Sequence, residues 1–265
     1  MSNFVITCVR VGDYTKLVAI LYVASEASEL KPFACYLTGL RKLKWPLDYA
    51  FEGVLEGRRI MLAANGAGPK LAAQAVEVAM RAVTVAELSS SRLEAVVSVG
   101  YCGALDPALK ESEIVMATGI LDAVTGETTD CATVEVVAVK GVVMSEDRVV
   151  NSALDKQQLG KSGAIAIEME AAGVFARTRK AELPFYCIKC VTDLADESFP
   201  LDLNKMRTTE GRFSRGRIGS YALTHPKALP GLFHLKRRSE QAAKALGEFL
   251  VSCRIQVESP SAAGE

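Results

Sequence analysis

The strongest constraint on this chain comes from short runs that read as apolar throughout, AVVSV at 95–99 and FYCIKCV at 185–191. A strand without polar alternation expects burial on both faces. Helical stretches between such runs supply that cover, so the pattern indicates an α/β layered fold. Strands are predicted at 17–24, 49–55, 58–64, 94–99, 113–118, 133–139, 164–168 and 185–191, and helices at 26–38, 70–88, 169–182 and 234–252. The runs 49–55 and 58–64 read as a hairpin turning at Glu56-Gly57. In the helix at 70–88, Leu71, Ala75, Val78 and Ala82 recur at helical spacing, and Pro69 suits the first turn.

The chain has 265 residues, with 31 basic and 31 acidic side chains. Its 49% hydrophobic content excludes disorder throughout. The cysteines, seven with irregular spacing, read as reduced cytosolic thiols, and Cys187-Ile188-Lys189-Cys190 reads as plain strand sequence. The apolar run Leu17 to Ala24 has eight residues, far short of the roughly 20 that cross a bilayer, and no signal peptide is read. His225 and His234 are the only histidines, so carboxylates are expected to carry any proton transfer, with no metal and no cofactor. Residues 205–265 hold 11 basic and 5 acidic side chains. That segment is either a solvated tail on an acidic body or a surface for an anionic substrate, partner or membrane.

Glycine turns and acids fall at predicted element boundaries. Asn65-Gly66-Ala67-Gly68-Pro69-Lys70 joins a strand to a helix and is either a structural turn or a ligand loop. Gly100-Tyr101-Cys102-Gly103 follows the strand at 94–99, where α/β sheets bind ligands. Glu168-Met169-Glu170 places two carboxylates where a strand becomes a helix, as a site or as a favourable helix start. Thr192-Asp193-Leu194-Ala195-Asp196-Glu197 ends the last apolar run. Acids so crowded raise one another's pKa, which makes a carboxyl so placed a candidate general acid, and the alternative is a helix cap formed by Thr192 or Asp193.

In order, NGAGPKLAA, VSVGYCGALDPALKESEIVMATGI, AIEMEAAGVFA and CVTDLAD resemble the nucleoside phosphorylase superfamily, particularly its nucleosidases for methylthioadenosine and S-adenosylhomocysteine. The resemblance covers roughly 17–200. It implies a single three-layer α/β domain whose mixed, partly barrel-like central sheet carries helices on both faces. It also implies a cytoplasmic homodimer or higher homo-oligomer that acts on a nucleoside and not on nucleic acid. By resemblance, Asp193 is the general acid and Glu170 binds the ribose hydroxyls. Met169 packs on the ribose, and Glu168 belongs to the same motif. Asn65 and Gly66 match the loop beside the sugar and the attacking water, Val149 and Val150 line the base, and Gly100, Tyr101 and Thr192 are further candidate substrate-binding residues. The water-activating acid is Glu26 or Glu29, with Glu29 favoured. Phosphorylases of the superfamily carry an Arg where this chain has Ser98, and another in the loop that here reads Ala24 to Glu29. Hydrolysis is therefore expected over phosphorolysis; the rivals from other classes are a non-catalytic nucleoside-binding or scaffold protein and, weakened by Leu71 where a third glycine should be, a nucleotide-dependent oxidoreductase. Tyr101 departs from the small residue commoner there. SYALTHPKALPGLFHLKRRSEQAAKALGEFL resembles the C-terminal extension of hopanoid-associated nucleosidases, which release adenine from an adenosyl-lipid. The expected organisation is a catalytic domain at 1–204, a basic helical extension at 205–252 packed on it, and a disordered end at 253–265. The basic part, 205–238, is a candidate peripheral membrane contact.

Overall fold

The computed structural model describes residues 17–84, 91–199, 202–208, 211–225 and 229–255. Its strands are β1 (Leu17–Ala24), β2 (Thr38–Lys42), β3 (Tyr49–Leu55), β4 (Arg58–Ala64), β5 (Ser91–Ala104), β6 (Ile114–Asp122), β7 (Thr128–Asp130), β8 (Val139–Ser145), β9 (Ala166–Glu168) and β10 (Phe185–Asp193). Its helices are α1 (Ala27–Ala34), α2 (Pro69–Thr84), α3 (Ala153–Gly160), α4 (Ala171–Lys180), α5 (Arg215–Thr224) and α6 (Leu229–Ser252).

One mixed sheet runs β10-β6-β8-β9-β5-β1-β4-β3-β2, with β7 beside β6. β10 also pairs with β5, in parallel, so β10, β6, β8, β9 and β5 close on themselves as a small barrel. Strands β1, β4, β3 and β2 extend from it as an open wing. This is the mixed, partly barrel-like sheet that the sequence led us to expect.

Burial on both faces explains the unbroken apolar runs. Along β1, Leu21 and Val23 face a core with α2 and α4, while Ile20, Tyr22 and Ala24 face a second core with α1 and α6. β10 divides the same way: Phe185, Cys187 and Val191 on one side, Tyr186, Ile188 and Cys190 on the other. Cys187 and Cys190 therefore lie on opposite faces of a strand and form no dithiol pair. α6 is part of the second core through Ala242, Ala243, Leu246 and Leu250. Cys253 and Ile255 beyond it are also buried, and the Ile255 carbonyl accepts a hydrogen bond from Arg58 at 2.5 Å. Residues 256–265 of the expected disordered end lie outside the described residues, as do 85–88 of the expected second helix. No described helix is long and apolar enough to cross a membrane.

The hairpin turns at Glu56 (φ 48°) and Gly57 (φ 80°), a left-handed pair that matches the twist of β3 and β4. Other expectations differ from the structure. Residues 133–138 form no strand: Val137 is 99% exposed and only Val134 of the run is buried, so the ladder begins at Val139. The first helix stops at Ala34, not 38, and the chain turns into the exposed strand β2. On α2 the buried stripe is Ala72, Ala75, Val76 and Ala79, one residue round from Val78 and Ala82.

α2 and α4 meet without an intervening side chain at Gly173, where a Cβ would lie 2.0 Å from the Pro69 carbonyl oxygen. Neither backbone can yield alone. Gly173→Ala is expected to destabilise the fold by about 1–3 kcal/mol or more, read as a lower urea midpoint at unchanged slope. An unchanged midpoint would mean that the two helices separate freely.

Candidate active site

Charged side chains in the closed part of the sheet gather around Lys189. Position 189 of β10 faces the α2–α4 side, between Cys187 and Val191, where the pattern asks for an apolar residue. Its ammonium is wholly buried and lies 2.8 Å from Glu168 Oε2 and 3.8 Å from Glu170 Oε2. It also donates to the Val99 carbonyl at 3.2 Å. Burial alone would lower its pKa. The Glu168 carboxylate, with Cys187 and Glu170 adding to it, more than reverses this and keeps the lysine charged. Glu168 is satisfied a second time by the first turn of α4, accepting from the Glu170 and Ala171 amides at 2.9 and 3.0 Å. Its role is to hold the corner between β9 and α4.

Glu170 reaches across to the glycine loop after β4, where Oε1 accepts from the Gly68 amide at 2.9 Å. Gly66 (φ 109°) and Gly68 (φ 102°) allow the loop to double back that closely. The Gly66 amide donates to the Ser25 carbonyl at 2.8 Å, tying this loop to the end of β1.

Glu29 lies in the first turn of α1, 2% exposed. Its Oε1 accepts from the Ser25 hydroxyl and from the Glu26 amide at 2.8 Å. Its Oε2 faces Gly100, where any Cβ would collide with it. Burial, reinforced by Glu170, lifts its pKa to about 8, while Ser25, Lys189 and the Glu26 amide pull the other way. Glu26, the helix cap, is exposed at the rim.

Asp193 ends β10, and its Oδ1 accepts from the Thr192 hydroxyl at 2.8 Å. Oδ2 meets the fully buried ammonium of Lys156 at 2.5 Å. Burial raises the Asp193 pKa against the pull of Lys156 and Thr192, and Glu197 adds a smaller push. The crowding of acids expected at this strand end is thus a minor cause. Glu197 is instead held down to about 2 by Arg238 of α6, which bonds it at 2.6 and 2.7 Å.

The carboxylates of Glu29, Glu168, Glu170 and Asp193 border one cavity of about 340 Å³. Glu26, Glu29, Tyr101, Val149, Val150, Glu168, Met169, Glu170, Thr192 and Asp193 all line it. Asn65, Gly66 and Gly100 do not. Asn65 is buried, with its amide turned to Gln74 at 3.3 Å and to Arg212 at 3.2 Å, and Gly100 backs Glu29 from behind. Ser98 lies inside β5, fully buried and off the cavity. Lys189, Lys156 and the apolar wall of Phe199, Leu203, Phe213 and Leu235 went unread in the sequence. A lysine inside FYCIKCV was the readable signal, because a charge is almost never fully buried unless paired. Lys156, in the polar stretch LDKQQ, gave none.

Comparison with the curated proteins finds no match. Solved structures do match. Over 89% of this chain, 5′-methylthioadenosine/S-adenosylhomocysteine nucleosidase from Helicobacter pylori superposes at TM-score 0.64 with 17% identity, covering 97% of that chain. The Neisseria meningitidis nucleosidase, in complex with methylthio-immucillin-A, gives 0.63 and 21%, over 89% of this chain and 99% of its own. Futalosine hydrolase of Helicobacter pylori gives 0.64 and 17%, over 89% and 97%. The Phosphorylase superfamily model matches residues 128–215, about a third of the chain. The fold is that of the nucleoside phosphorylase superfamily, and the stretch carrying Glu168, Met169, Glu170, Thr192 and Asp193 matches that superfamily's sequence model.

Proposed function

We propose that the protein is a nucleosidase that hydrolyses the N-ribosidic bond of a purine nucleoside with an apolar 5′ substituent. The observation that carries this reading is that Glu29 and Asp193, both buried and both held above the usual carboxylate range, line the same cavity.

The chemistry needs one acid and one base. As the C1′–N bond breaks, positive charge develops on the sugar and electrons pass to the base. Asp193 in its acid form gives a proton to a ring nitrogen, so the base leaves neutral. Glu29 as carboxylate takes a proton from the water that attacks C1′, and Ser25 and the Glu26 amide hold it in place. Glu170 binds the ribose hydroxyls, Met169 packs on the sugar, and Val149 and Val150 face the base. Phosphorolysis would need cations free to hold phosphate. Here Lys189, Lys156 and Arg148 are each committed to carboxylates. These pairings favour water as the nucleophile.

The 5′ preference rests on a second, apolar groove of about 800 Å³ lined by Leu203, Leu229, Leu232, Phe233 and Leu235. Tyr101, Leu203, Leu235 and Ser239 border both spaces, so the groove continues the cavity. A lipid tail is the extreme occupant. Phe233, 68% exposed beside exposed Lys236 and Arg237, supports peripheral membrane contact at the same rim.

Asp193→Asn is expected to lower kcat by 10²-fold or more with the fold intact, measured by base release and thermal melting. Near-normal turnover would remove Asp193 from the role. Glu29→Gln should also be inactive, yet more stable than the parent near pH 8. A buried acid whose pKa rises on folding weakens the fold as pH climbs from the unfolded value toward about 8. The gain is on the order of 1–3 kcal/mol near pH 8 and vanishes near pH 4. Equal stability of the two proteins at both pH values would contradict the burial of a proton on Glu29. Along a series of 5′-alkylthioadenosines, kcat/KM should rise about fourfold per methylene, following ~0.8 kcal/mol for each buried CH₂. A flat series would mean that the groove is not the 5′ subsite.

A further inference from the structure

Lys156 has no part in the chemistry outlined above, yet it is among the most deeply buried charges of the chain. It lies on α3, whose first turn is capped by Ser152 accepting from the Asp155 amide at 3.1 Å. The side chain is completely enclosed. An ammonium has three N–H donors. One meets Asp193 Oδ2 at 2.5 Å and another the Leu194 carbonyl at 2.6 Å. The Phe199 ring centroid lies 5.5 Å from the nitrogen. Lys156 does not border the cavity, so it acts on a substrate only through Asp193.

We propose that Lys156 is the positioning residue of the general acid and neutralises the charge that Asp193 acquires as it gives up its proton. The inference rests on the nucleosidase reading. When the C1′–N bond breaks, its electron pair goes to the base and the Asp193 proton goes to the base nitrogen. A carboxylate remains on Asp193, in a pocket where an unpaired anion is costly. The ammonium already in place favours that product and the transition state leading to it. Together with the Thr192 hydroxyl on Oδ1, it also fixes the carboxyl plane.

Contact assigns Lys156 to Asp193, and Glu197 feels its charge only as a minor influence. Glu197, from the turn after β10, is the rival carboxylate, but Arg238 of α6 occupies both of its oxygens. From β5, the Cys102 thiol is held protonated by burial, and Gly103 presents no side chain. α6 thereby contributes to the acid at one remove: without Arg238, Glu197 would compete for the Lys156 charge.

The test compares wild type, Lys156→Gln and Lys156→Arg, using base release from methylthioadenosine across a pH series, with melting temperatures as the check on folding. Gln keeps a hydrogen-bond donor and loses the charge, and Arg keeps the charge. Lys156→Gln is expected to lower kcat by about 10- to 100-fold, part of what a general acid supplies, with KM little changed. One limb of its kcat/KM profile moves up by about a pH unit or more, because a carboxyl without its cation keeps its proton longer. Lys156→Arg should recover part of kcat and leave the limb in place. Wild-type kcat and profile in Lys156→Gln would overturn the proposal, and so would equal losses in both variants with no movement of either limb, the pattern of a merely structural lysine. If Lys156→Gln does not fold, Lys156→Arg decides alone: a profile displaced from wild type would overturn the proposal. Failure of wild type itself to release base from any purine nucleoside would overturn the nucleosidase reading instead.

Discussion

The ion pair between Lys189 and Glu168, 2.8 Å long and wholly enclosed, is the contact on which the centre of this structure depends. It joins β10 to β9, strands that are not neighbours in the sheet, across the interior of the closed barrel. Removing one member of such a pair leaves an uncompensated buried charge, at about 3–5 kcal/mol. The consequence spreads outward. Glu168 holds the first turn of α4, which places Glu170, and Glu170 in turn receives the Gly68 amide and fixes the loop after β4. That loop is bonded to Ser25, next to Glu29. The chain of contacts runs from one buried lysine through Glu168 and Glu170 to Glu29.

Two acids of the same cavity are kept protonated more readily than in water, by different balances. Glu29 has little positive charge close to it and a like-charged neighbour in Glu170, so desolvation dominates. Asp193 has a cation in contact, and desolvation is opposed there. Cleavage at a glycosidic centre needs one carboxyl as acid and another as base, and this small space holds both. The C-terminal helix contributes to both ends of this arrangement. Its Leu246 and Leu250 complete the core over α1, which carries Glu29, and its Arg238 occupies Glu197, in the turn that follows Asp193.

Most of the architecture was legible in the sequence because burial on both faces leaves a plain mark. β1, β3 and β4 begin and end where the apolar runs do, and the turn at Glu56-Gly57 has the left-handed backbone that glycine permits. The misread elements are those whose placement depends on distant partners. β8 pairs with β6 and β9 and carries a mixed pattern, so the valine-rich stretch just before it drew the strand too early. Among the site residues, the acids announced themselves at strand ends, whereas Lys156 lies in a polar helix that looks solvated and is enclosed only by tertiary packing. Asn65 stands in a conspicuous loop, yet its side chain turns inward to Gln74 and Arg212, a direction that local sequence does not specify.

The central claim is that water, admitted between Glu29 and the sugar, displaces a purine that Asp193 protonates. Its most direct test is product analysis of methylthioadenosine turnover by the purified protein in phosphate-free buffer and again with added phosphate, with chromatographic identification of both the base and the sugar. The account predicts free adenine and free 5-methylthioribose in equal amounts, at a rate that phosphate does not change. Turnover that requires phosphate and yields a sugar 1-phosphate would contradict it, as would tight binding of the nucleoside with no base released.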